Sequence, residues 1–169
     1  SHNTTSRNCR SVPKNVQIER LRYDLAFIEK LISVRQIFNR SFKKEIRIIK
    51  NQYKIKISIG ILKTLLISLE NAVRLEKEYE KQLKNINSKK ITLYSYWSND
   101  SAIALGNLKR SIGNDIKCIT RMHRWDIYFE ESKYDYLPLR NHVFKNLDDV
   151  FSISKNGINY LQDKLNFNT

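Results

Sequence analysis

The chain has 169 residues, enough for one domain with a real core and too few for two comfortable ones. A hydrophobic fraction of 41% argues against disorder throughout, and only 4 Gly and 2 Pro argue against an all-β fold, whose many tight turns draw on both. The net charge of +14 predicts attraction to an anion, whether nucleic acid, lipid headgroups, sulfated glycan or an acidic protein face, without choosing among them. Lys, Asn, Ile and Tyr are abundant together, as an AT-rich genome would make them, but such a bias would not gather the charge in one place.

Residues 1–15 are polar, carry Pro13 and read as an arm without structure of its own. Helical periodicity starts at Val16. Ile18, Leu21, Leu25, Ile28 and Ile32 step by three and four and make one apolar stripe. Phe42, Ile46, Ile49 and Tyr53 continue it. Lys43, Arg47, Lys50 and Lys54 repeat the same steps one residue later, which sets them about 100° around the helix. Arg40 and Lys44 thicken this basic face, and Glu45 is the only acid between Arg40 and Lys63.

Residues 53–61 alternate apolar and polar, the strand template, and 91–97 is rich in β-branched and aromatic residues. The two could pair as a short two-stranded ribbon; the competing reading is a helix that breaks near 58–60. From Leu62 a helix is clear again, through Leu65, Leu69, Ala72, Leu75, Tyr79 and Leu83.

Residues 98–101 offer N-caps for a third helical segment, which buries Leu105, Leu108, Ile112, Ile116 and Ile119 and runs to about residue 131. Gly106 and Gly113, seven apart, suggest a close helix crossing. Pro138 suits the first turn of a last helix carrying Val143, Leu147, Val150 and Leu161 and ending near Leu165.

A continuous helix over 16–86 would be about 105 Å long, more than the later helices can cover, so the chain must reverse near residue 40 or near Gly60. The expected fold is therefore all-α: one domain over 16–167, an antiparallel bundle of about four helices with a long N-terminal helical segment. A break in the helix near 58–60 is the favoured reading; a ribbon of 53–61 with 91–97, if formed, is the only β element.

No catalytic constellation emerges. The chain lacks a phosphate loop, a nucleophile elbow and a Cys–His signature, and Asp148 and Asp149 are neighbours that point in different directions on a helix. His123 and His142 have too few companions for a metal site, so no cofactor or metal is expected and the protein reads as non-enzymatic. Cys9 and Cys118 match no zinc spacing; they form one disulfide in a secreted protein or stand as two thiols in a cytosolic one. Asn3, Asn39 and Asn99 each begin a glycosylation triplet. No apolar run approaches the ~20 residues of a membrane span.

Two surfaces stand out as binding candidates. One is the basic face of Arg40, Lys43, Lys44, Arg47, Lys50 and Lys54; the other is the aromatic run Tyr94, Tyr96 and Trp97, of a kind that stacks bases or anchors protein interfaces. The leading expectation is a secreted helical binding protein that engages a protein receptor or anionic glycan. The alternatives are a cytoplasmic domain binding nucleic acid or anionic membrane, and a self-assembling structural subunit.

Overall fold

Residues Ile116–Met122 form a β-strand rather than the continuation of a helix, and that difference changes the fold class. Ile116, Cys118, Thr120 and Met122 are buried while Lys117 and Arg121 are exposed, the two-residue period of a strand. Ile112, Ile116 and Ile119 fit helical spacing equally well. Gly113 decides between the readings: at φ 79° it ends the preceding helix, and the β-branched Ile116, Ile119 and Thr120 then favour a pleated surface.

The computed structural model describes residues 31–88 and 90–166. After a 3-10 turn at Ser33–Phe38 come α1 (Arg40–Asn51), α2 (Ile59–Leu83), β1 (Ile91–Ser95), α3 (Asp100–Ile112), β2 (Ile116–Met122), α4 (Arg124–Ile127), α5 (Arg140–Asn146), β3 (Asp149–Ser152) and α6 (Lys155–Leu165). The strands lie in the order β1-β2-β3, all parallel, with Leu93 beside Cys118 and Thr120 beside Val150. This is an α/β fold, not the expected all-α bundle.

Two further expectations are corrected with it, the ribbon and the single last helix, and the open position of the reversal falls on the Gly60 side. The segment 91–97 does supply a strand, but β1 pairs with β2 and not with 53–61. Residues 52–58 are where the long helical segment reverses: Tyr53 is buried, Lys54 takes φ 56°, and the Ser58 side chain accepts from the Ile61 backbone N–H to start α2. The last helix is two, interrupted by β3. The arm 1–15, the stripe from Val16 to Ile28, Cys9 and Asn3 lie outside the described residues.

α3 is the centre of the molecule. Ala102, Ile103, Ala104, Leu105, Gly106 and Leu108 are all buried, so it is covered on every side. It packs against α2 on one side, the sheet on another and α5 on a third. Side-chain hydrogen bonds pin the α2 contact, from Asn71 to Asp100 at 2.8 Å and between Tyr79 and Ser101 at 2.7 Å. Among the described residues the other sheet face is open. It carries Thr92, Tyr94, Lys117, Arg121 and Phe151 outward, where parallel sheets usually have helices on both sides.

The α3–α5 crossing is close because Gly106 has no side chain. A Cβ there would lie 2.8 Å from His142 Nε2 and 3.1 Å from its Cδ2. Gly106→Ala gains up to about 1 kcal/mol of helix propensity but overpacks this contact, and overpacking costs about 1–3 kcal/mol. We expect a net loss of about 1–2 kcal/mol, checked by denaturant unfolding.

Candidate anion-binding site

The reversal at 52–58 folds α1 back beside α5 and the C-terminal end of α3. Between them lies a cavity of about 350 Å³, in the range of small-molecule sites. α1 contributes Arg40, Ser41, Lys44, Glu45 and Ile48, while Arg110 comes from α3 and Asn141, His142, Lys145 and Asn146 come from α5. Arg40, Lys44, Arg110 and Lys145 thus surround one space, and among the described residues none of the four forms an ion pair. Asn39 starts α1 beside this mouth. Its carboxamide accepts from Ser41 N–H at 2.8 Å and donates to Gln36 at 2.9 Å, so this glycosylation triplet has a structural task as an N-cap. Asn99 caps α3 in the same way.

The floor of the cavity is a buried polar network. Glu45 is 1% exposed, and its Oε1 accepts from the Tyr136 hydroxyl at 3.1 Å and from the Leu139 N–H at 3.0 Å. Burial pushes its carboxyl up to about 7, although those two donors, Arg140 and Lys44 all favour the ionised form. Arg140 is itself buried. Its Nε donates to the Asp126 carbonyl at 3.1 Å, and the charges of Asp126 and Asp100 support it. Asn141 donates to the Tyr53 hydroxyl at 3.1 Å, and burial raises both Tyr53 and Tyr136, which keeps these phenols neutral. His142 is held neutral: burial first, then the charges of Arg110 and Lys44, bring it down to about 4. Its Nδ1 faces Asn146 Nδ2 at 3.2 Å, and its Nε2 is buried against Gly106, while the Ile103 backbone favours the protonated ring without offsetting burial.

The structure divides the six basic residues expected on one face. Arg40 and Lys44 line the cavity; Lys43, Arg47, Lys50 and Lys54 are exposed outside it. Sequence reasoning missed Arg110, Lys145, Asn141 and Asn146, which come from segments 60–100 residues further along the chain. Glu45 did carry a signal, as the lone acid in a basic stretch, and its isolation there marks its role at the floor.

The aromatic candidates are grouped but stand elsewhere. Tyr94, Tyr96 and Trp97 are each 41–51% exposed, Tyr96 and Trp97 rings are 5.2 Å apart, and both touch the His123 ring at 4.8 and 4.2 Å. They gather at the carboxyl end of β1, where α3 begins, whereas the cavity lies where α3 ends. Ten residues of helix, about 15 Å, separate Asp100 from Arg110. Ser98, His123 and Asp126 meet at this same end, yet they are not a nucleophilic triad: Asp126 Oδ2 accepts from the backbone N–H groups of Ser98 and His123, at 3.1 and 3.4 Å. Ser98 Oγ is buried and has no hydrogen-bond partner among the described residues.

Cys118 is buried in β2, and burial with the nearby Asp148 charge pushes its thiol up to about 11; Cys9, its expected partner, lies outside the described residues. Among the described residues no three His, Cys, Asp or Glu side chains converge as a metal site, and no helix is long and apolar enough to cross a membrane.

The fold and site together define an α/β protein with a cation-lined cavity at the amino edge of its sheet. Comparison with profiles of known protein families, with curated proteins and with solved structures finds no match. The geometry therefore carries the functional argument alone.

Glu45 and His142 make opposing demands on pH. The raised Glu45 holds its proton in the fold between about 4.5 and 7 where the unfolded chain does not, so its contribution to stability falls as pH rises through that window. The lowered His142 does the reverse between about 4 and 6.5. The two largely cancel from 4.5 to 6.5, and above 7 the buried Glu45 charge costs on the order of 3 kcal/mol. Glu45→Gln keeps an acceptor for Tyr136 and Leu139 without that charge. It should raise stability at pH 8 by about 1–3 kcal/mol and by nothing at pH 4.5, as read from urea midpoints at the two pH values.

Proposed function

We propose that this protein is a binding protein, not an enzyme, that recognises the phosphate or sulfate groups of a polyanion through the cavity and the outer face of α1. A single observation carries the reading: Arg40, Lys44, Arg110 and Lys145, from three different helices, border one cavity, and among the described residues none of them forms an ion pair. Like charges brought together repel one another, and the single carboxyl of Glu45 on the floor is outnumbered four to one, so an anion that fills the space stabilises the fold. Lys43, Arg47 and Lys50 along α1, with Lys54 in the turn that follows it, extend the positive surface and suit a ligand longer than the cavity. The aromatic end of β1 favours a second contact, with a protein receptor, because Tyr94, Tyr96, Trp97 and the 67% exposed Trp125 stand outward beside an open sheet face. A glycan ligand would fit secretion, and a nucleic acid a cytoplasmic setting.

Binding to a heparin oligosaccharide, single-stranded RNA and duplex DNA at low salt tests the reading. Arg40→Glu with Lys44→Glu, and Arg110→Glu with Lys145→Glu, should each weaken the preferred ligand about tenfold or more. For duplex DNA each pair should also lower the salt slope by about two, one for each lost phosphate contact. Lys43→Glu with Lys50→Glu should cost less. Equal losses from the cavity and outer-face pairs, or no binding by any polyanion, would overturn it.

A further inference from the structure

An acid at the floor of an anion site needs an explanation. Glu45 lines the cavity together with Arg40, Lys44, Arg110 and Lys145. Its Oε1 is occupied by two donors, Tyr136 hydroxyl and Leu139 N–H, which fixes the carboxyl in place. Among the described residues no donor reaches Oε2, so Oε2 is the oxygen left for a bound group. In the ionised state that oxygen repels an anion in the cavity at short range and in a partly water-excluded setting, where charge interactions are strong. In the protonated state the same oxygen is an O–H donor, which an anion in the cavity can accept from.

We propose that the cavity binds a tetrahedral oxyanion, phosphate or sulfate, together with one proton carried by Glu45. The inference rests on the reading of the cavity as an anion site and adds what selects its occupied state. The groups that face Glu45 are compatible with this. Tyr136 and Tyr53 are neutral phenols, and His142 above is neutral; Lys44, Arg110 and Arg140 supply the positive field. Glu45 is the group among them that changes charge near neutrality. Anion and proton therefore help each other to bind, and by linkage each must raise the affinity of the other by the same factor.

The test is an NMR titration of the intact chain with inorganic sulfate, whose charge is constant over the range used, at pH 6.0 and pH 8.5. With a group titrating near 7, only about 3% of Glu45 is protonated at pH 8.5, so sulfate affinity should fall about 30-fold between the two. Glu45→Gln should bind with the pH 6.0 affinity at both, within about threefold. A readout on the unmodified protein guards against misfolding of the variant: saturating sulfate should move the titration midpoint of the Glu45 carboxyl carbon upward by about one pH unit or more. Inorganic phosphate run beside sulfate at pH 6.0 identifies the preferred oxyanion by whichever binds more tightly. Sulfate binding that is equal at both pH values, or a Glu45 midpoint that does not move, would sink the proton coupling and leave the anion site standing. Absence of binding by either ion at both pH values would remove the site and the coupling together.

Discussion

A single buried carboxyl group joins the two ends of the described chain. Glu45 sits on α1, the most basic helix, and takes hydrogen bonds from Tyr136 and Leu139, more than 90 residues later. Burying an unpaired carboxyl would be ruinous, and burying it with donors is merely expensive. Its position therefore requires the 136–141 segment to be where it is. Tyr136, Leu139, Arg140 and Asn141 follow from that demand: a phenol and an N–H for Glu45, a buried guanidinium anchored on Asp126, and a carboxamide reaching Tyr53. The cavity is the outer surface of this knot.

α3 transmits the arrangement to the rest of the fold. Its small residues on the α5 side, Gly106 above all, let His142 approach; Leu105 and Leu108 help fill the core, and Asp100 accepts from α2. A similar polar clasp holds the start of the described chain, where Glu70 on α2 accepts from Arg35 at 2.8 Å and Gln36 at 2.8 Å. In each case a carboxylate emerging from a largely apolar helix is met by donors from a distant segment. The 31 basic residues let the chain place such acids inside with cations nearby.

The same excess of positive charge separates structural from free cations. Lys109 is held by Asp148 at 2.9 Å and Lys117 by Asp149 at 2.8 Å, and Arg124 is paired with Glu131. These pairs lie around the sheet. Among the described residues the cations of α1 and of the cavity wall form no such ion pairs, and the contrast, more than the net charge, distinguishes a recognition surface from a solvated one.

Composition and periodicity determined much of this protein. Few glycines and prolines meant long elements, and the apolar steps of three and four located α1 and α2 and the basic face on α1. β-Branched and aromatic content marked β1. Local pattern could not separate helix from strand where both periods fit. At Ile112, Ile116 and Ile119 the choice fell to Gly113, whose positive φ stops the helix, and to the strands on either side that complete the hydrogen bonds of β2. At 53–61 alternation was present but no neighbouring strand was, so the chain turned instead. The candidate site was half legible for the same reason. Arg40 and Lys44 share a helix and their proximity follows from helical geometry, whereas Arg110 and Lys145 join them only because α3 and α5 cross at Gly106, a contact that no local period encodes.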